Sequence, residues 1–149
     1  MAPQCSGPEH RQLDFWLGDW DVYDAGGPDA AVARVQVTSM LDGCAVREVY
    51  VQNDGMRGES FSMYDASRGV WHQSWVTTRG DLLLLEGGVV EGRLVLTATE
   101  TRADGTTGLI RGAWWKDGAD VRQLAERSSD GGATWAPAWD IVFRPHPAR

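Results

Sequence analysis

Glu48 and Tyr50 are the first residues of this 149-residue chain whose types and spacing point to chemistry. They lie in the run 44–52, where every second side chain falls on the same face of an extended strand. One face reads Cys44, Val46, Glu48, Tyr50 and Gln52; the other reads Ala45, Arg47, Val49 and Val51. With the first face inward, Glu48 and Tyr50 become ligands for a buried polar group. With the second inward, Ala45, Val49 and Val51 are the packed side and Glu48 is solvated. The run 70–77 poses a similar choice, because Trp71, Gln73 and Trp75 share one face and Val70, His72, Ser74 and Val76 the other. Two aromatic rings flanking an amide form either a pocket wall, with the amide orienting a ligand, or ordinary sheet packing.

His72 is the only histidine inside an expected strand, since His10 and His146 lie near the ends. An imidazole near neutral pH can serve as a general base, and a lone strand histidine is also a common surface residue. Tyr64, with Ser60 and Ser62 on its face, is a further donor for a cavity on that side. Arg111 and Glu126 fall on the neighbouring runs 109–116 and 121–128. Pointing inward, they form a buried ion pair or grip a polar ligand head, because an unpaired buried charge is expensive. Pointing outward, they form a cross-strand surface pair. No His/Cys/Asp/Glu set has metal-ligand spacing, and no Ser-His-Asp order suggests a nucleophile elbow. The glycine-rich turns lack the strand–turn–helix setting of a phosphate loop. No metal or cofactor is therefore expected. A haem-binding barrel needs a proximal histidine near its mouth, and neither His72 nor His146 has a supporting motif.

The elements that must position these residues are ten short runs rich in Val, Leu, Thr and aromatics: 18–24, 31–40, 44–52, 57–64, 70–77, 81–86, 93–101, 109–116, 121–128 and 137–144. Turn signals such as Asn53-Asp54-Gly55, Gly87-Gly88 and Asp117-Gly118 separate them, so each connection is of hairpin length. Hairpin connections favour antiparallel pairing between chain neighbours. A twisted meander of that length hides its edges by closing on itself. The expected fold is all-β, an antiparallel up-and-down barrel of about ten strands forming a single domain over residues 10–146. Leu13, Trp16 and Leu17, at i, i+3 and i+4, suggest a short helix leading into the first strand. Residues 1–9 read as a flexible tail.

The chain is long enough for a core without disulfide staples. A net charge of −7 with no basic stripe argues against nucleic acid and against an anionic membrane surface. No run approaches the ~18 apolar residues of a membrane span, and residues 1–10 lack the basic and apolar regions of a signal peptide. These features suggest a cytoplasmic protein, monomeric or homodimeric. Cys5 sits in a Pro/Gly/Ser-rich stretch and Cys44 in an expected strand, so both are expected as free thiols. Eight tryptophans are many for this length. Each indole N–H wants a partner, which suits a pocket lining or a plug at a barrel end.

Gly18-Asp19-Trp20, opening the first strand after a short helical segment, resembles the Gly-x-Trp signature of lipocalin and calycin barrels. That likeness implies that Trp20 closes one barrel end and that a late arginine, here Arg144, packs across it. Ten strands look more like the fatty-acid-binding branch than the eight-stranded lipocalins. Over most of its length the chain also resembles a family of small uncharacterised bacterial proteins, the domain of unknown function numbered 1579 (DUF1579). The matching stretches are Phe15-Trp16-Leu17-Gly18-Asp19-Trp20-Asp21-Val22, Gly43-Cys44-Ala45-Val46-Arg47-Glu48, Tyr64-Asp65, Trp71-His72-Gln73-Ser74-Trp75-Val76, and residues 128–135. This likeness implies a barrel and no established activity. Residues 128–135 also fit Ser-x-Asp-x-Gly-x-Thr-Trp, which looks like the Asp-box of sialidase-type propellers. Propellers need several repeats and this chain has one, so Asp130 and Trp135 are read as structural residues of a hairpin turn.

Three functional readings follow. The first is a barrel that binds a small apolar or aromatic molecule, with Glu48, Tyr50, Trp71, Gln73, Trp75, Arg111 and Glu126 around it. The second is a cofactor-independent isomerase or cyclase, with Glu48 or His72 as acid/base and Tyr64 or Arg111 as oxyanion-side donor. The third is an interaction domain whose barrel is filled by its tryptophans.

Overall fold

The computed structural model describes residues 4–148. Ten strands run in order: β1 (Gly18–Asp24), β2 (Ala33–Met40), β3 (Ala45–Gln52), β4 (Arg57–Asp65), β5 (Val70–Thr77), β6 (Leu82–Val90), β7 (Arg93–Thr101), β8 (Thr107–Asp117), β9 (Asp120–Ser128) and β10 (Ala136–Pro145). Each pairs antiparallel with its chain neighbours, and β10 returns to β1 to close the barrel. The ten-strand up-and-down barrel expected from the turn spacing is therefore the fold.

Alternation sets the inside. Val22 faces Ala33 on one side and Phe143 on the other, and Val35 faces Trp20; all of these are buried. Leu94, Leu96, Ile110, Val121 and Ile141 continue the interior along β7 to β10. One boundary differs from expectation. Gly87-Gly88 is not a turn: β6 runs on to Val90, and the chain reverses at Glu91 and Gly92, both at positive φ. Glycine at 87 serves packing instead, because a Cβ there would run into the carbonyl of Val95 on β7.

One barrel end is plugged by two 3-10 turns, Pro8–Arg11 and Asp14–Trp16. Leu13 and Trp16 are buried there, and Trp16 meets Phe143 edge-on at 5.8 Å between ring centroids. Two indoles are tied to this plug by hydrogen bonds. Trp20 donates Nε1–H to the Trp16 carbonyl at 2.8 Å, and Trp71 donates to Gln12 Oε1 at 3.0 Å. Trp20 thus sits at the closed end, but Arg144 does not lie across it. The β1–β10 register turns Phe143 inward beside Trp20 and Arg144 outward, where its guanidinium stacks 4.5 Å from the Tyr23 ring centroid.

The cysteines also depart from expectation: Cys5 and Cys44 form a disulfide across 39 residues. Cys44 lies just outside β3, after the 3-10 turn Leu41–Gly43, where it can face the N-terminal segment. The guanidinium of Arg11 bonds the carbonyl of Gly43 and, at 3.3 Å, that of Cys5. The described part of residues 1–9 is therefore pinned to the plug, while residues 1–3 lie outside the described residues. The free-thiol argument for a reducing compartment lapses with the bridge. Among the described residues no helix is long and apolar enough to cross a membrane.

The β9–β10 turn has the Asp-box arrangement. The Asp130 carboxylate accepts from the Thr134 amide at 2.9 Å and the Ser128 hydroxyl at 2.7 Å, and Trp135 donates to the Gly132 carbonyl at 3.1 Å. Both Asp130 and Trp135 bond within the turn that their motif describes.

Candidate functional site

Above the plug the barrel encloses a cavity of about 980 Å³. Asp54, Arg79, Gly80 and Asp81, on the turns following β3 and β5, line its outer part, so it opens at the end opposite the plug. Glu48, Gln73, Leu85, Trp114, Gln123 and Ile141 line its depth. The rings of Tyr50, Trp75 and Trp139 form much of the wall between. The tryptophans do not fill the barrel, because they are dispersed: Trp16, Trp20 and Trp71 belong to the closed end, and Trp115 and Trp135 lie on the outer face under Arg93 and Arg111.

Glu48 settles the ambiguity of β3: the face that carries Val46, Glu48 and Tyr50 points inward. Glu48 is 5% exposed and accepts one hydrogen bond, from Ser60 Oγ at 2.9 Å on β4. Burial pushes its carboxyl up to about 7, against the opposing pull of the Ser60 hydroxyl. Tyr50, two residues on, meets Trp75 edge-to-face at 5.9 Å. Its phenol is pushed up to about 12 by burial and by the nearby Glu48 charge, so it is a neutral donor across the ordinary pH range. Opposite Tyr50 stands Gly58, where any Cβ would strike the Trp75 indole. The absent side chain is what lets that ring approach the β4 backbone. Gln73, also inward, donates to Ser62 Oγ at 3.0 Å, and Ser62 is itself fully buried.

The charge lining the cavity is lopsided. Asp24, Glu48, Asp54, Asp81 and Glu100 line it, against Arg79 and Arg127. Both arginines are paired at the rim, Arg79 with Asp54 at 3.0 Å and Arg127 with Glu100 at 2.9 Å.

Five of the expected site residues lie elsewhere. Trp71 shares the inward face of β5, but its position two residues nearer the closed end sets it against the plug. Tyr64, beside it, packs against His10 at 5.2 Å and Trp71 at 6.0 Å and does not reach the cavity. His72 is on the outer face, with Nδ1 3.0 Å from Glu86 and Nε2 2.8 Å from Ser74 Oγ. Arg111 and Glu126 face outward as a cross-strand pair at 3.1 Å, with the Arg111 guanidinium 3.8 Å from the Trp135 ring centroid. The outward orientation follows from Ile110, Gly112 and Ala125 taking the interior positions of β8 and β9. His146 is outside too, at 2.9 Å from Asp21. Among the described residues no three His, Cys, Asp or Glu side chains group as metal ligands.

Three lining residues went unnoticed in the sequence. Gln123 shares parity with Val121 and Ala125, a signal that was present in the alternation. Trp114 shares a face with Ile110 and Gly112, and a Cβ at Gly112 would press on its indole. Trp139 follows a bulge between Pro137 and Trp139, which breaks the period of two and conceals its face. Comparison with family models and with curated proteins finds no match to this chain.

Proposed function

We propose that the protein is a calycin-like barrel, akin to the DUF1579 proteins, that binds a small molecule with an apolar or aromatic body. The single observation that supports this reading is the cavity of about 980 Å³, walled by Tyr50, Trp75, Trp114 and Trp139 and open at one end. Pockets that hold small ligands fall at about 300–1,000 Å³ and combine an apolar wall with a few fixed polar groups. Glu48 and Gln73 supply those groups, each held by a serine hydroxyl of β4. The test is a panel of fatty acids, polyketide-like aromatics, terpenoids and haem, read by tryptophan fluorescence and thermal shift. Saturable binding by one class is the expected outcome; a protein that answers none of them is not a carrier for those classes.

A second reading, a cofactor-independent isomerase or cyclase, keeps one observation in its favour. Glu48, held near pH 7, is able both to give and to take a proton in that cavity. His72, Tyr64 and Arg111 have no part in it, since none reaches the cavity; Tyr50, Gln73 and Gln123 are donors that line it. Turnover of a bound compound, lost in Glu48→Gln, would distinguish catalysis from carriage. Binding without turnover leaves the first reading alone.

A further inference from the structure

Glu48 lacks what a buried carboxylate ordinarily has, a cation. Among the described residues its one hydrogen-bond partner is Ser60, and the nearest cationic side chains of the lining are held at the rim by Asp54 and Glu100. The elements packed around it offer Val37 from β2, Ser60 from β4 and Gln73 and Trp75 from β5; the opposite wall offers Trp114, Gln123 and Ile141. None of these is charged, and Tyr50 is the one other titratable group on its face. The lining as a whole has an excess of three carboxylates over guanidinium groups. A cavity of this charge repels a fatty acid and concentrates a cation.

We propose that the cavity takes an amphiphilic cation, an apolar or aromatic body carrying one protonated amine, whose ammonium pairs with Glu48 beside the rings of Tyr50 and Trp75. The proposal rests on the ligand-binding reading and names its ligand class. An ammonium satisfies the open valences of Glu48 and replaces the water lost on burial by a charge-assisted hydrogen bond. The edge-to-face pair of Tyr50 and Trp75 adds a ring face for the same cation. The remaining aromatic wall takes the apolar body.

Three compounds of one shape separate the possibilities: phenylbutylamine, phenylbutanol and phenylbutyrate, titrated into the full-length protein by calorimetry at about pH 8. The amine should bind at least about tenfold more tightly than the alcohol, with the carboxylate weakest. In Glu48→Gln the amine-to-alcohol ratio should collapse toward one. A second readout needs no variant. At neutral pH, amine binding should release protons as Glu48 ionises against the ammonium, measured as a dependence of the heat on buffer ionisation enthalpy; the alcohol should release none. Equal affinity for amine and alcohol, a preference for the carboxylate, or an amine preference untouched in Glu48→Gln overturns the amine proposal and leaves the cavity standing. Failure of all three compounds overturns the amine proposal, and silence of the apolar and aromatic panel as well overturns the ligand-binding reading with it.

Discussion

Glu48 is an acid whose ionisation burial delays to about pH 7, and that couples its ionisation to stability. Its carboxyl rises from an ordinary value of 4.5 to about 7. A group raised in this way contributes its full stability below the unfolded value and loses it as pH climbs through the folded one. The folded protein should therefore weaken between about pH 5 and about pH 8, by up to about 3 kcal/mol from this residue alone. Outer-face carboxylates behave oppositely. Glu86 is held at about 2 by Arg68 and His72, and Asp130 at about 2 by Thr134, so their contributions fade only in acid. Over the window that concerns Glu48 they stay ionised in both states. Glu48→Gln keeps an acceptor for Ser60 and removes the titration. Urea denaturation of the two proteins should show a stability gap that favours the variant more at pH 8 than at pH 5; a gap independent of pH would show that Glu48 stays ionised in the fold.

At the level of elements, the N-terminal plug and the β4–β5 wall govern different properties. The plug is tethered by Cys5–Cys44, a link spanning 39 residues, and a loop of that length constrains the unfolded chain by about 3–4 kcal/mol. Reduction, or Cys5→Ser with Cys44→Ser, should lower the free energy of unfolding by that order while leaving the far-ultraviolet spectrum of the barrel unchanged. Loss of the barrel spectrum at room temperature would mean the plug nucleates the fold. The wall answers to Gly58. In Gly58→Ala the new methyl displaces the Trp75 indole into the cavity, so ligand affinity should fall at least about tenfold, roughly 1.4 kcal/mol. Unchanged affinity would place the ligand away from Trp75. The strands themselves were legible in the sequence, since a period of two between Gly/Asp turns is a local signal. Their faces were only partly so. Alternation divides β3 into two sets but cannot say which is inside when Glu48 and Tyr50 compete with Val49 and Val51. For β8 and β9, the glycine and alanine at 112 and 125 mark the inside by their smallness, a cue that reads from packing rather than from polarity. The disulfide was not legible at all, because it depends on the segment near Cys5 folding back across the closed end.

The whole molecule carries a net charge of −7, and part of that surplus is concentrated at one opening. Asp24 and Asp81 add to the rim, where Arg79 and Arg127 are already neutralised by Asp54 and Glu100. A barrel wall of low dielectric with acid at its mouth and acid at its depth focuses potential along the cavity axis. The fold, by closing every strand edge, leaves that mouth as the way in. Steering of this kind acts on the rate of encounter and is screened by salt. Raising ionic strength from about 0.01 M to about 0.1 M shortens the screening length from about 30 Å to about 10 Å. Stopped-flow association of phenylbutylamine, followed by tryptophan fluorescence, should slow severalfold over that range, while association of phenylbutanol should not. In Asp81→Asn the amine should associate more slowly at low salt, with the difference vanishing at high salt. Because Asp81 lies at the rim and Glu48 in the depth, dissociation should respond to Glu48 and association to Asp81. An amine whose association ignores salt would place the rim acids outside its path, and any selectivity for cations would then rest on Glu48 alone.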